Sequence, residues 1–193
     1  MKRLVLVRHG ETEWSASGRH TSTTDLPLTP EGEAEARRVH ALLDDLRVQA
    51  ARVVCSPMVR AQRTAELAGL LPFESGAALC ELDYGEYEGL TTSEILTRRP
   101  DWDLFRDGCP GGETVEQVAA RVAPLLDDLA PETGDGDVVL VAHGHVLRVL
   151  AAVYVGAPPS LARAFVLGTA TVSILGHEHA WRAITLWNFG TET

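Results

Sequence analysis

The sequence predicts an α/β fold, a three-layer α/β/α sandwich whose central sheet is mainly parallel. Three observations carry that prediction. Leu4-Val5-Leu6-Val7 is an unbroken apolar run of β-formers, the pattern of a strand buried on both faces. Val138-Val139-Leu140-Val141-Ala142 repeats it, and segments with helical spacing alternate with strand-like runs between the two. Both runs also stop abruptly on charged and small residues, Arg8-His9-Gly10 and His143-Gly144-His145. In open α/β sheets the carboxyl ends of strands are where ligands collect.

The elements follow in order. After the first strand, the Ser-, Thr- and Gly-rich segment from Glu11 to Asp25 reads as an ordered loop above the strand end. Thr29-Pro30 is an N-cap followed by a proline at the first helical position, and Ala36, Val39, Leu43 and Leu46 mark the buried face of that helix. Arg52-Val53-Val54-Cys55 reads as a short strand. Ser56-Pro57 repeats the cap signal and is expected to open a helix running to about Leu70. Thr91-x-x-Glu94 has capping-box form, and its helix must stop before Pro100. Thr114-x-x-Gln117 caps a helix with Val115, Val118, Val122, Leu126 and Leu129 on one face, and Pro124 is expected to kink or divide it. Pro131 to Gly136 reads as a loop. Val146 to Val155 is an apolar helix closed by Gly156 and Pro158-Pro159. Thr171–Leu175 and Trp181–Trp187 read as a hairpin at the sheet edge. With no repeat or interdomain linker, residues 1–193 are read as one domain.

Composition narrows the function classes. No apolar run approaches the roughly 20 residues that span a bilayer, and no signal peptide is recognisable, so a cytoplasmic location is expected. The net charge of −10 argues against a nucleic-acid or anionic-membrane partner. An anionic small substrate requires a local cluster of arginines instead. Cys55, Cys80 and Cys109 show no Cys-x-x-Cys spacing and read as reduced, structural thiols. His177-x-His179 lacks a third ligand and reads as a surface pair, so no metal site is expected. Oligomeric state, including a homodimer, is not legible.

Arg8-His9-Gly10 places a fixed cation and a histidine beside a glycine that lets a ligand approach the backbone. It continues as Glu11-Thr12-x-Trp14, Gly18-Arg19 and Asp25-x-Pro27-Leu28-Thr29. Ser56-Pro57-x-x-Arg60-Ala61-x-x-Thr64-Ala65, Glu81 with Tyr84-Gly85 and Glu88-Gly89, and Ala142-His143-Gly144 follow in order. Together these motifs resemble the histidine phosphatase superfamily, the group that includes cofactor-dependent phosphoglycerate mutases, over nearly the whole chain. The resemblance implies that His9 attacks phosphorus and carries the phosphoryl group. Arg8 and Arg60 would clamp its oxygens, His143 would donate to the same oxygens, and the backbone at Gly144 would approach them. Glu81 would be the general acid and base, with Asp83, Glu86 and Glu88 as solvated or loop-fixing carboxylates.

Departures from the mutase pattern point to a subclass. Ser15 stands where mutases have asparagine, Leu82 follows the acid where mutases have arginine, and the insertion with paired arginines is absent. Without those cations a phosphohistidine goes more readily to water. The wording resembles the branch of bacterial acid phosphatases and sedoheptulose bisphosphatase. There, Ser15, Thr21 and Gly111-Gly112-Glu113 would shape the substrate side of the pocket. The expectation is a metal- and cofactor-independent phosphatase of small phosphorylated metabolites; the alternative is a cofactor-dependent phosphoglycerate mutase.

Overall fold

The computed structural model describes residues 3–129 and 136–190. Strand β1 (Leu4–Arg8) is followed by a one-turn helix α1 (Glu13–Ala16) and by α2 (Pro30–Asp45). Then come β2 (Ala50–Cys55), α3 (Val59–Leu67), the two-residue β3 (Glu74–Ser75), and 3-10 turns at Ala77–Leu79 and Gly85–Tyr87. Helices α4 (Thr92–Arg98), α5 (Leu104–Asp107) and α6 (Val115–Leu129) lead to β4 (Asp137–Ala142) and α7 (Gly144–Tyr154). A 3-10 stretch at Pro159–Ala164 precedes the hairpin of β5 (Val172–Glu178) and β6 (Trp181–Phe189).

The six strands form one sheet in the order β3-β2-β4-β1-β5-β6. The pairs β1–β4, β2–β4 and β2–β3 are parallel, whereas β5 runs antiparallel to both β1 and β6. The expected mainly parallel sandwich, with a hairpin at one edge, is the observed architecture. Strand periodicity divides β1 between two cores. Leu4 and Leu6 pack with α6 and α7 on one face, and Val5 and Val7 pack with α2 and α3 on the other.

That division positions the site. Chain leaving β1 passes to α2 on one face, and chain leaving neighbouring β4 enters α7 on the opposite face. A crevice opens where adjacent strands diverge in this way. The register pairs Arg8 with Ala142, so the next residues, His9 and His143, emerge side by side.

Three local expectations needed correction. Ser56-Pro57 does not cap α3: Met58 is the N-cap, with no side-chain bond, and the helix ends at Leu67. Pro124 does not divide α6, which runs through it as one element. Part of the segment read as loop after β1 is the helix α1, closed by a capping box between Thr12 and Ser15. The loop read at Pro131–Gly136 lies, apart from Gly136, outside the described residues.

Candidate active site

His9 follows β1 directly, and its backbone N–H donates to the Ala142 carbonyl of β4 at 2.9 Å. Its ring is 6% exposed and lies 5.1 Å from the His143 ring, centroid to centroid. Nδ1 sits 2.7 Å from the Gly10 carbonyl, an acceptor only, so Nδ1 carries the proton and Nε2 keeps its lone pair. Burial, followed by the guanidinium groups of Arg8 and Arg60, pushes the His9 pKa well below the usual histidine range. The ring is thus held neutral and oriented, which is the form that can attack an electrophile.

Arg8 closes β1. Its Nη1 donates to the Leu167 carbonyl, while its Nε is buried with no hydrogen-bond partner among the described residues. A buried guanidinium donor left unpaired costs about 1–3 kcal/mol or more, unless a ligand satisfies it. The start of α7 packs against this guanidinium: a Cβ on Gly144 would lie 3.5 Å from Arg8 Nε and Cζ, in ordinary van der Waals contact.

Arg60, in the first turn of α3, is fully buried. Its Nε donates to His143 Nδ1 at 3.1 Å, and its Nη groups donate to the Thr24 and Ser22 carbonyls at 3.1 Å each. Those carbonyls belong to a loop that Glu88 fixes by accepting the N–H groups of Ser22 and Thr24 and the Ser22 hydroxyl. Nη2 also donates to the Thr21 carbonyl at 3.5 Å, so of the five N–H groups of the guanidinium one, on Nη1, is left among the described residues to meet an anion.

The Arg60 contact decides the state of His143. Arg60 Nε always carries hydrogen, so His143 Nδ1 must accept, and the proton of the neutral ring resides on Nε2. Nε2 lies 2.7 Å from Ser56 Oγ, to which it donates. Burial, then His9, Arg60 and Arg8, hold the His143 pKa well below the ordinary range. Both ring nitrogens are therefore engaged by protein. The N–H that the resemblance directs at a phosphoryl oxygen points at Ser56, and His143 here fixes Arg60 rather than donating outward. Sequence reading missed Ser56 for this purpose, since its spacing resembled a helix cap.

Glu81 caps the start of α7. One carboxylate oxygen accepts the N–H groups of Val146 at 2.8 Å and Leu82 at 2.9 Å, and the other accepts that of His145 at 3.0 Å. Helix N-termini favour negative charge for this reason. His145 was not singled out from the sequence, yet its Nδ1 lies 2.6 Å from the Tyr84 hydroxyl and 3.8 Å from the Glu81 carboxylate. Burial, then Glu81, pushes the Tyr84 pKa well up, so the phenol stays protonated beside the His145 ring.

The remaining predicted residues serve other purposes. Ser15 spends its hydroxyl inside the α1 capping box. The Thr21 hydroxyl donates to the Arg19 carbonyl, and the Thr21 carbonyl faces Arg60. Gly112 packs on the backbone of Asp83 and Gly85, and Glu113 pairs with Arg121 at 2.8 Å and accepts the Asp83 N–H. The glycine turn therefore buttresses the segment that carries Glu81. Glu88 and Asp83 fix loops, and Glu86 is exposed. Cys55, Cys80 and Cys109 are all unpaired, and burial pushes the thiols of Cys55 and Cys109 up to about 12. No group of three or more His, Cys, Asp or Glu among the described residues could hold a metal ion. Nor is any described helix long and apolar enough to cross a membrane.

Known proteins resemble this chain over most of its length. The family model for the histidine phosphatase superfamily (branch 1) matches residues 4–190. The chain is 41% identical over 184 residues to an acid phosphatase of Mycobacterium tuberculosis, covering 95% of this chain and 91% of that protein. It is 35% identical over 186 residues to sedoheptulose 1,7-bisphosphatase of Saccharomyces cerevisiae, covering 80% of this chain and 68% of the relative. The solved structure of a Mycobacterium tuberculosis open reading frame superposes with a TM-score of 0.93 at 40% identity, covering 97% of each chain.

Proposed function

The chain belongs to the histidine phosphatase superfamily, and from that premise we propose that it hydrolyses small phosphate monoesters through a phosphohistidine at His9. The observation that carries this reading is the state of His9: a neutral ring with Nδ1–H bound to Gly10, beside a buried Arg8 Nε that has no partner among the described residues. In the first step His9 Nε2 forms a bond to phosphorus as the ester P–O bond breaks, and protonated Glu81 gives its proton to the departing oxygen. In the second, water attacks phosphorus, the P–N bond breaks, and the Glu81 carboxylate takes the water's proton. The enzyme returns to its starting state, and inorganic phosphate leaves.

Arg8 and the remaining Nη1 N–H of Arg60 hold the phosphoryl oxygens through both steps. Preorganisation is the source of their effect, because Arg60 is already fixed by His143, Thr24 and Ser22 before substrate arrives. Water is the acceptor because the cations by which a mutase would retain a second phosphorylated intermediate are absent from the sequence.

The test is release of inorganic phosphate from p-nitrophenyl phosphate in EDTA, with rapid alkaline quenching to trap the alkali-stable phosphohistidine. His9→Ala should abolish both signals. Full hydrolysis by that variant would end the proposal, and phosphoglycerate interconversion dependent on a bisphosphoglycerate primer would move the chain to the mutases.

A further inference from the structure

The backbone N–H groups that follow β1 are each held from a different part of the fold. That of His9 donates to the Ala142 carbonyl of β4 at 2.9 Å, and that of Gly10 to the Thr64 hydroxyl of α3 at 3.0 Å. That of Glu11 donates to the Glu35 carboxylate of α2 at 2.8 Å. Glu35 does not stop there: its other oxygen accepts the Thr169 hydroxyl at 3.1 Å.

Thr169 stands in the loop that leads into β5. In the same loop the Leu167 carbonyl accepts from Arg8 Nη1, and the Ala170 N–H donates back to the His9 carbonyl at 3.1 Å. Ala170 holds φ at 49°, in the left-handed region that a residue with a Cβ keeps only where its surroundings enforce it. Glu35 also differs from its neighbours on α2. Glu31 and Glu33 pair with the surface arginines Arg38, Arg37 and Arg63. Glu35 forms no ion pair among the described residues and gives both oxygens to uncharged donors. Burial, Glu81 and Tyr84 each affect the Arg8 pKa more than Glu35 does, so what Glu35 supplies is a bridge of hydrogen bonds.

We propose that Glu35 is a positioning residue, which locks the turn carrying His9 to the loop holding Arg8. The inference rests on the phosphatase reading, in which His9 attacks phosphorus and Arg8 grips its oxygens. One planar carboxylate sets the separation of its two donors, so the reach of the nucleophile and the aim of the clamp are fixed together. Without the bridge, the Glu11 N–H loses its acceptor, and the loop that anchors Arg8 is released from α2.

Side-chain replacements at the two ends of the bridge test this. Glu35 is half-buried and lines a cavity of about 460 Å³, so shortening it widens existing space instead of opening a void in the core. Glu35→Ala should lower kcat toward p-nitrophenyl phosphate at least about tenfold. It should also raise the Kd of inorganic phosphate, read by calorimetry, roughly five- to tenfold. Thr169→Val cuts only the loop arm, and should raise that Kd by a similar factor while kcat stays within about threefold. The double variant should match Glu35→Ala alone, because both changes break one bridge. Glu35→Gln should restore both readouts to within about threefold of the unmodified enzyme, since its amide oxygen accepts from Glu11 and its NH₂ donates to the Thr169 hydroxyl. A Glu35→Ala variant that loses only Tm overturns the proposal. So do losses that multiply in the double variant, and a Glu35→Gln variant as impaired as Glu35→Ala. If Glu35→Ala does not fold, Thr169→Val decides: a raised phosphate Kd supports the proposal, and an unchanged one overturns it. An unmodified enzyme that binds phosphate yet hydrolyses nothing would instead reject the phosphatase reading beneath it.

Discussion

Glu81 is positioned by main chain, through the N–H groups of His145 and Val146 at the start of α7 and that of Leu82, so replacing it should alter chemistry more than architecture. A general acid matters in proportion to how poor the leaving group is. For Glu81→Gln, kcat/KM toward an alkyl phosphate such as glycerol 3-phosphate should fall roughly 10²- to 10³-fold, and toward p-nitrophenyl phosphate less than about tenfold. Because kcat/KM reports only steps up to transfer onto His9, the later role of Glu81 as base does not blur the comparison. Equal losses on both substrates would remove Glu81 from the role of acid. At this scale the sequence was legible where a side chain's placement follows from its own motif. Arg8, His9, Arg60, Glu81 and His143 all converge on one crevice. Ser56 and His145 were not legible, because their partners lie 87 residues away at His143 and 61 away at Tyr84.

Helix α2 sits on the catalytic turn through two glycines. A Cβ on Gly32 would stand 2.0 Å from the Glu11 carbonyl oxygen, and one on Gly10 would stand 2.3 Å from that of Gly32. Both contacts are to backbone, so no side-chain rotation relieves them. Gly32→Ala should therefore push α2 off the turn that holds His9, costing roughly 1–3 kcal/mol of stability and lowering Tm by several degrees. Misplaced by even a fraction of an ångström, His9 should lose at least about tenfold in kcat. A variant with unchanged kcat would show that α2 does not set the nucleophile's position. Helix starts were legible where cap and partner are neighbours, as at Thr29, Thr91 and Thr114. The same local rule misread Ser56-Pro57, whose hydroxyl is taken by a distant histidine. Strand β3 was illegible for a different reason: two exposed polar residues carry no periodicity, and only pairing with β2 makes them a strand.

Across the whole molecule, the two apolar runs and their histidine ends were enough to give the sheet and the crevice, since β1 and β4 are buried on both faces. The cost of that arrangement is that His9, His143 and His145 are sequestered together beside Arg8 and Arg60. Each has its pKa pushed well below the ordinary value by burial first, and by neighbouring cations or rings second. In the unfolded chain these rings take up protons at about pH 6.5. In the folded chain they do not until the pH is well lower. Between those limits the unfolded state binds more protons, so stability falls as pH falls, by up to about 1.4 kcal/mol per pH unit for each ring. The contribution is fully present above about pH 6.5 and is lost completely only below the folded values. Asp137 beside Arg3 and Glu113 beside Arg121, both with lowered pKa, act in the same direction but only near and below the usual carboxylate range of about 4. The urea midpoint should thus fall between pH 7.5 and 5.5, before any carboxylate titrates. His20, whose pKa burial also lowers, adds to the same slope, and His145→Gln, which removes one of these titrating rings, should make it shallower. A midpoint that stays flat over this interval, or a slope unchanged in the variant, would mean that the buried histidines accept protons in place, and that the site is not the dry, neutral cluster its geometry describes.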